Sequence, residues 1–110
     1  MTSTDLSDYK NIYLQTAREY TNSLSSGCSK LSINSMDNEA INNIHISSHS
    51  LRSQSQVMGF STIADLSGSI EKASDDILSK VSLVDEKFIN LLKNSVDELN
   101  LELSKLEKTQ

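Results

Sequence analysis

The sequence has 110 residues, which is enough for one domain built around a single hydrophobic core. Its 15 acidic and 10 basic side chains give a net charge of −5, which argues against nucleic acid as a partner. No apolar stretch approaches the roughly 20 residues that span a bilayer, so no membrane insertion is expected. The N-terminus lacks the features of a signal peptide and the single cysteine suits a reducing compartment, so a cytoplasmic location is expected.

The absence of proline, the scarcity of glycine and the lack of alternating apolar patterns favour an all-α fold. Apolar residues at steps of three and four predict a first helix that Thr4 or Asp5 caps and that ends near Gly27. The polar segment 28–34 is then expected to be a loop. The predicted inner face of the first helix consists of Leu6, Tyr9, Tyr13, Ala17, Tyr20 and Leu24.

A second helix is predicted from a cap at Ser35 or Asp37 to a stop at Gly59. At 100° per residue, its core-facing stripe leaves His49 roughly 140° away from the centre. His49 is therefore expected to be exposed beside the core, not buried in it. The residues of the stripe are Ile41, Ile44, Ser48, Leu51, Ser55 and Met58.

Two further helices follow after short connections. The third is expected to begin at Ser61 or Thr62, and Ser82 with Asp85 three residues later resembles a capping box for the fourth. The predicted inner faces are Ile63, Leu66, Ile70, Ala73 and Ile77 in helix three, and Phe88, Leu92, Val96, Leu99, Leu103 and Leu106 in helix four.

The short connections predict that consecutive helices are antiparallel neighbours, and the whole pattern predicts an up-and-down antiparallel four-helix bundle. The leucine stripe of helix four is interpreted as core, and an oligomer seam stays open as the alternative because Leu101 adds apolar surface beyond the stripe. With the stripe in the core, the domain, residues 1–110, is expected to be monomeric.

The residues around His49 read His-x-Leu-Arg-Ser-x-Ser-x-x-x-Gly over positions 49–59. This pattern resembles the signature of histidine-containing phosphotransfer (HPt) domains, usually His-x-Leu-Lys-Gly-x-Ala-x-x-x-Gly. It is most like the N-terminal domain of CheA-type chemotaxis histidine kinases. Arg52, Ser53 and Ser55 depart from the usual residues, and all three changes are chemically mild. The similarity extends to residues 13–20 and to residues 58–71.

The resemblance implies a four-helix bundle in which His49 accepts a phosphoryl group from the ATP-binding domain of a histidine kinase. His49 would then pass it to an aspartate on the receiver domain of a response regulator, in chemotaxis signalling. The resemblance also assigns Glu71 the role of orienting the imidazole. The chain contains no ATP-binding motif, so it is expected to be a phosphocarrier without its own cofactor. The resemblance also allows that it is the N-terminal part of a longer kinase.

Several neighbours of His49 are candidate site residues because of their helical spacing. Arg52, three residues on, lies on the same flank and can donate hydrogen bonds to a phosphoryl group. Ser53, four residues on, overhangs the imidazole, and its small side chain leaves access for a partner. Gln56 and His45 are expected to border the same partner-binding surface.

Gly68 is the strongest departure from CheA-type domains, which commonly carry a second histidine three residues before the glutamate. Positions 68 and 71 share a helix face, so Gly68 is expected to leave open space beside His49 in the partner-binding surface. His45 and His49 have a spacing that can bind a metal, but no third ligand supports this, and no metal is expected. A stand-alone phosphorelay protein and a non-phosphorylated helical adaptor remain alternatives.

Overall fold

The computed structural model describes residues 3–109, with side chains from residue 8 onward. The described chain forms four helices and no strand. Their bounds are Ser3–Ile33 (α1), Asn38–Met58 (α2), Ser61–Leu78 (α3) and Glu86–Lys108 (α4). The predicted all-α fold is confirmed. The predicted role of Leu6 in the inner face lies outside the described side chains.

Each helix packs against two neighbours, in a ring whose order follows the chain. α1 lies beside α2 and α4, α3 lies beside the same two helices, and within the described residues the backbones of the diagonal pairs do not come close to each other. This is the predicted up-and-down bundle. The molecule measures 49 × 21 × 20 Å. Its long dimension follows from α1, whose 31 residues extend about 46 Å at 1.5 Å per residue.

α1 is longer than predicted, because it continues through Gly27 and the expected loop 28–34 as far as Ile33. Gly27 does not cap the helix. A Cβ atom at this position would lie 2.6 Å from Cγ1 of Ile44, so the glycine permits a close approach of α1 to α2. At the other end, Thr4 and Asp5 lie inside α1 and do not precede it.

The predicted core positions of α1 are correct in the middle of the helix and wrong at Tyr9. Tyr13 and Ala17 are buried, whereas Tyr9 is 63% exposed. Lys10 donates from Nζ to the carbonyl of Thr109, the residue after α4. Residue 9 therefore lies at the rim of the bundle, where α4 no longer covers it.

The start and end of α2 follow the predicted signals. The Asp37 side chain accepts a hydrogen bond from the Ala40 backbone N–H at 3.0 Å, which caps the first turn. Gly59 ends the helix with φ +79°, a left-handed conformation that glycine adopts without strain. The ring of Phe60 then packs 5.0 Å from the Tyr13 ring, centroid to centroid, and closes this end of the core.

α3 begins at Ser61, as predicted. The predicted capping box before α4 is wrong in its assignment: Asp85 is the N-cap itself and accepts a hydrogen bond from the Phe88 N–H at 2.9 Å. Ser82 belongs to the preceding connection. No helix in the described part of the chain is long and apolar enough to cross a membrane.

Candidate functional site

The candidate site lies where α2 and α3 face each other. Only two residues connect these helices, so they pack side by side. On α2, Ser48 is fully buried, and the next residue, His49, is 56% exposed. On α3, Ile70 is buried, which directs the following Glu71 toward the edge that faces α2. Burial of the hydrophobic stripes of the two helices thus places His49 and Glu71 at the surface along the boundary between α2 and α3, the seam.

The imidazole of His49 contacts the carboxylate of Glu71. The distance from Nδ1 to Oε2 is 2.6 Å, and the Glu71 side chain is only 18% exposed. An ionised carboxylate accepts hydrogen bonds and cannot donate them, so this contact places the ring proton on Nδ1. Nε2 then keeps its lone pair, and it is the ring nitrogen available for reaction.

The second oxygen of Glu71 accepts a hydrogen bond from the Nε–H of Arg52. Partial burial by itself raises the pKa of Glu71. The hydrogen bonds and charges of Arg52 and His49 outweigh this effect and lower the pKa below its ordinary value. Glu71 is therefore ionised at neutral pH, and the same contact raises the pKa of Arg52.

Gly68 lies one helical turn before Glu71 and faces the aliphatic stem of Arg52. A Cβ atom at position 68 would lie 3.1 Å from Cδ of Arg52. Arg52, as it crosses from α2 to Glu71, occupies part of the space beside Gly68, and the rest of that space stays open as a depression that Gly68 also lines.

The remaining candidates lie along the same seam. Nε2 of His45 is 3.8 Å from Oδ1 of Asp75, and both side chains are partly exposed. Gln56 accepts a weak hydrogen bond from Nη1 of Arg52 at 3.4 Å. Ser53 is exposed on α2, one helical turn after His49.

Sequence reasoning missed two residues of this seam, Lys72 and Asp75. They help to line a depression of about 330 Å³ between α2 and α3. Their spacing from Glu71 and Gly68 was the available signal, because positions 68, 71, 72 and 75 share one face of a helix. The side chains and backbone around the depression are those of His45, Arg52, Gly68, Glu71, Lys72 and Asp75.

The model of one protein family, the Hpt domain, matches residues 8–107. The chain belongs to the Hpt domain family. It therefore takes part in histidine phosphotransfer in two-component signalling. No curated protein matches the sequence.

Solved structures confirm the fold of this Hpt domain. The CheA phosphotransferase domain from Thermotoga maritima is similar with a TM-score of 0.86 and 23% identity, covering 92% of this chain and 96% of that one. A computationally redesigned four-helix bundle is similar with a TM-score of 0.83 and 22% identity, covering 90% and 97% of the two chains.

The Hpt domain has two histidines, and their surroundings differ. His49 makes a direct hydrogen bond to a mostly buried carboxylate, whereas His45 lies 3.8 Å from an exposed one. Only the first geometry fixes a ring tautomer. Within the described residues, no group of three or more histidine, cysteine or acidic side chains could hold a metal ion.

Proposed function

We propose that this Hpt domain carries a phosphoryl group on Nε2 of His49. The donor is ATP bound to a histidine kinase domain, and the acceptor is an aspartate on the receiver domain of a response regulator. The observation that carries this proposal is the 2.6 Å contact of Glu71 with Nδ1, which leaves Nε2 as the exposed nucleophile.

In the first step, the Nε2 lone pair attacks the γ-phosphorus of ATP. The N–P bond forms as the bond to the leaving oxygen of ADP breaks. The ring keeps its proton on Nδ1 and becomes positively charged, and the Glu71 carboxylate stabilises this charge, as the carboxylate does in hydrolytic triads. In the second step, an aspartate oxygen attacks the same phosphorus and Nε2 recovers its lone pair.

Arg52 has two roles in this proposal. Its Nε–H keeps Glu71 ionised and in position. Its terminal nitrogens, of which Nη1 also makes the weak hydrogen bond to Gln56, can donate to phosphoryl oxygens near His49, where charge-assisted hydrogen bonds are strongest. Phosphoryl transfer depends mainly on positioning and charge stabilisation, so an exposed site with few groups is sufficient.

The partners are proposed to bind over the exposed part of the seam. Ser53 and Gln56 lie one and two turns beyond His49, and both are exposed. His45 on α2 and Gly68 on α3 also line this seam. The small Ser53 side chain leaves the approach to Nε2 open.

The motif around His49 and the structural likeness to a CheA phosphotransferase domain support a finer assignment. We assign the domain to a chemotaxis histidine kinase in the cytoplasm, in which a kinase domain of the same protein supplies the phosphoryl group. The sequence of the complete gene product tests this assignment, because an independent relay protein would have no kinase domain.

The first experiment tests the nucleophile. The domain is incubated with ATP and a matched histidine kinase domain, and we expect an acid-labile, base-stable phosphoryl label that His49→Gln removes. His45→Gln, the matched control, should retain the label. Full labelling of the His49→Gln variant would show that His49 is not the phosphorylated residue.

The second experiment tests the docking surface through Ser53. We expect Ser53→Leu to block transfer to the receiver domain because the longer side chain covers Nε2, while circular dichroism and the melting temperature stay close to those of the parent. Unchanged transfer would place the receiver elsewhere on the domain.

A further inference from the structure

A glycine inside α3 needs a physical reason, because glycine is the least favourable helix residue after proline. Gly68 is not among the residues with a positive φ, so the backbone conformation does not require it. Its surroundings supply the reason: a Cβ atom there would be 3.1 Å from Cδ and 4.0 Å from Cγ of Arg52.

The position of the Arg52 stem determines which atom Arg52 can reach. Arg52 starts on α2, passes over Gly68 on α3, and donates from Nε to Glu71 one turn further along α3. The same carboxylate holds Nδ1 of His49 with its other oxygen. A Cβ atom at position 68 requires the stem to move by a few tenths of an ångström and a longer side chain requires more, and hydrogen bonds weaken steeply when their distance and angle change.

We propose that Gly68 is a positioning residue: the missing side chain forms a slot for Arg52, and Arg52 in that slot fixes the carboxylate that orients His49. Gly68 thus acts on phosphotransfer through two other residues without touching the phosphoryl group. This inference rests on the proposed role of His49.

The test compares Gly68→Ala and Gly68→Leu with the matched control Ser69→Leu, an exposed neighbour on the same helix. Gly68→Ala should raise the melting temperature, because alanine is the better helix former, and still slow the phosphorylation of His49. Gly68→Leu should slow it further, by at most the loss that Arg52→Ala causes, because it acts through Arg52. Ser69→Leu should retain the parent rate.

A double-mutant cycle separates positioning from blocked access. If Gly68 acts through Arg52, Gly68→Leu should slow phosphorylation of the parent but not of the Arg52→Ala variant. An undiminished effect in the Arg52→Ala background would overturn the proposal, because it would mean that leucine obstructs the kinase directly.

An NMR measurement needs no partner. The Nε–H resonance of Arg52 should show slow solvent exchange in the parent and in Ser69→Leu, and lose this protection in Gly68→Leu. Unchanged protection would also overturn the proposal. Failure of the proposed function looks different: His49→Gln would keep its label, while the Arg52 resonance would still respond to substitution of Gly68.

Discussion

Two arginine–glutamate pairs join neighbouring helices in this bundle, and they differ in how the carboxylate is used. On the α1–α4 edge, Arg18 binds both oxygens of Glu107, from Nε at 3.1 Å and from Nη2 at 2.8 Å. Its remaining hydrogen bonds go to Asn100 and Ser104, each at 3.0 Å. All of these hydrogen bonds run from α1 to α4, and none involves a histidine.

On the α2–α3 edge, the two oxygens of the carboxylate bind different groups. Glu71 gives one oxygen to Arg52 and the other to the exposed ring of His49. The same pair of residue types therefore fastens two helices at one edge and holds a reactive ring in one tautomer at the other. The ion pair itself is common to both edges. What distinguishes the Arg52–Glu71 pair is that its carboxylate also binds a third group, the His49 ring.

The largest difference between the two pairs is expected when each glutamate is replaced by glutamine, which removes the charge and keeps the shape. Glu71→Gln should slow phosphorylation of His49 by about 10–100-fold, the usual cost of losing a group that orients a reactive side chain. Glu107→Gln, the matched control, should leave the rate unchanged. Rates would be measured by single-turnover labelling with the same kinase domain. Equal rates for Glu71→Gln and the parent would make Glu71 a structural residue like Glu107.

The next comparison removes the arginines. Arg52→Ala should slow phosphorylation by about tenfold or less, because an exposed donor contributes less than the 10²–10³-fold effect of a preorganised oxyanion donor. Arg18→Ala should retain the parent rate and lower the free energy of unfolding by about 1 kcal/mol, since its hydrogen bonds to Asn100 and Ser104 are lost.

Labelling rates and thermal melts of the two arginine variants are needed together. A large loss of stability in Arg52→Ala with a normal rate would assign it the fastening role that we give to Arg18. A reduced rate in Arg18→Ala would show that the α1–α4 edge contributes to catalysis from a distance.

Sequence periodicity was sufficient for the bundle, because burial of one stripe per helix decides the fold. It failed where a residue's role depends on a neighbouring helix. Gly27 resembles a helix stop until Ile44 is placed against it, and at Gly68 the sequence gives no sign of the Arg52 stem that occupies part of the expected open space. Both cases concern glycines, whose local preference for helix ends competes with their use at close contacts.

The contacts of the Glu71 carboxylate with His49 and Arg52 can be predicted from the sequence only in part. The position of Glu71 beside the buried Ile70 follows from the helical pattern, and so does the exposure of His49. The bond from Arg52 to Glu71 does not, because an arginine on α2 can also turn to solvent or to a partner. The Arg18–Glu107 pair, 89 residues apart in sequence, gives no local signal at all.

The smallest expected effect is a difference in how the two pairs respond to pH. Both glutamates have lowered pKa values in the folded protein. At Glu107 the first cause is the hydrogen bond from Arg18; at Glu71 the bonds from Arg52 and His49 overcome the effect of burial. In the unfolded chain, glutamate titrates near its ordinary pKa of about 4.3. Each pair therefore stabilises the fold fully above that pH and loses its contribution as the pH falls toward the lowered pKa.

Melting temperatures of the parent, Glu71→Gln and Glu107→Gln between about pH 7 and pH 3 measure this contribution as a difference, which cancels the titration of the other carboxylates. Each difference should shrink below about pH 4.3, where glutamate in the unfolded chain takes up its proton. Added salt should then distinguish the two pairs, because salt screens mainly exposed charges. The Glu107 side chain is 44% exposed and that of Glu71 is 18% exposed. Added salt should therefore reduce the Glu107 difference more than the Glu71 difference. Parallel melting profiles for all three proteins at every pH would mean that neither pair contributes to stability, and the Glu71 pair would then act on the His49 ring alone.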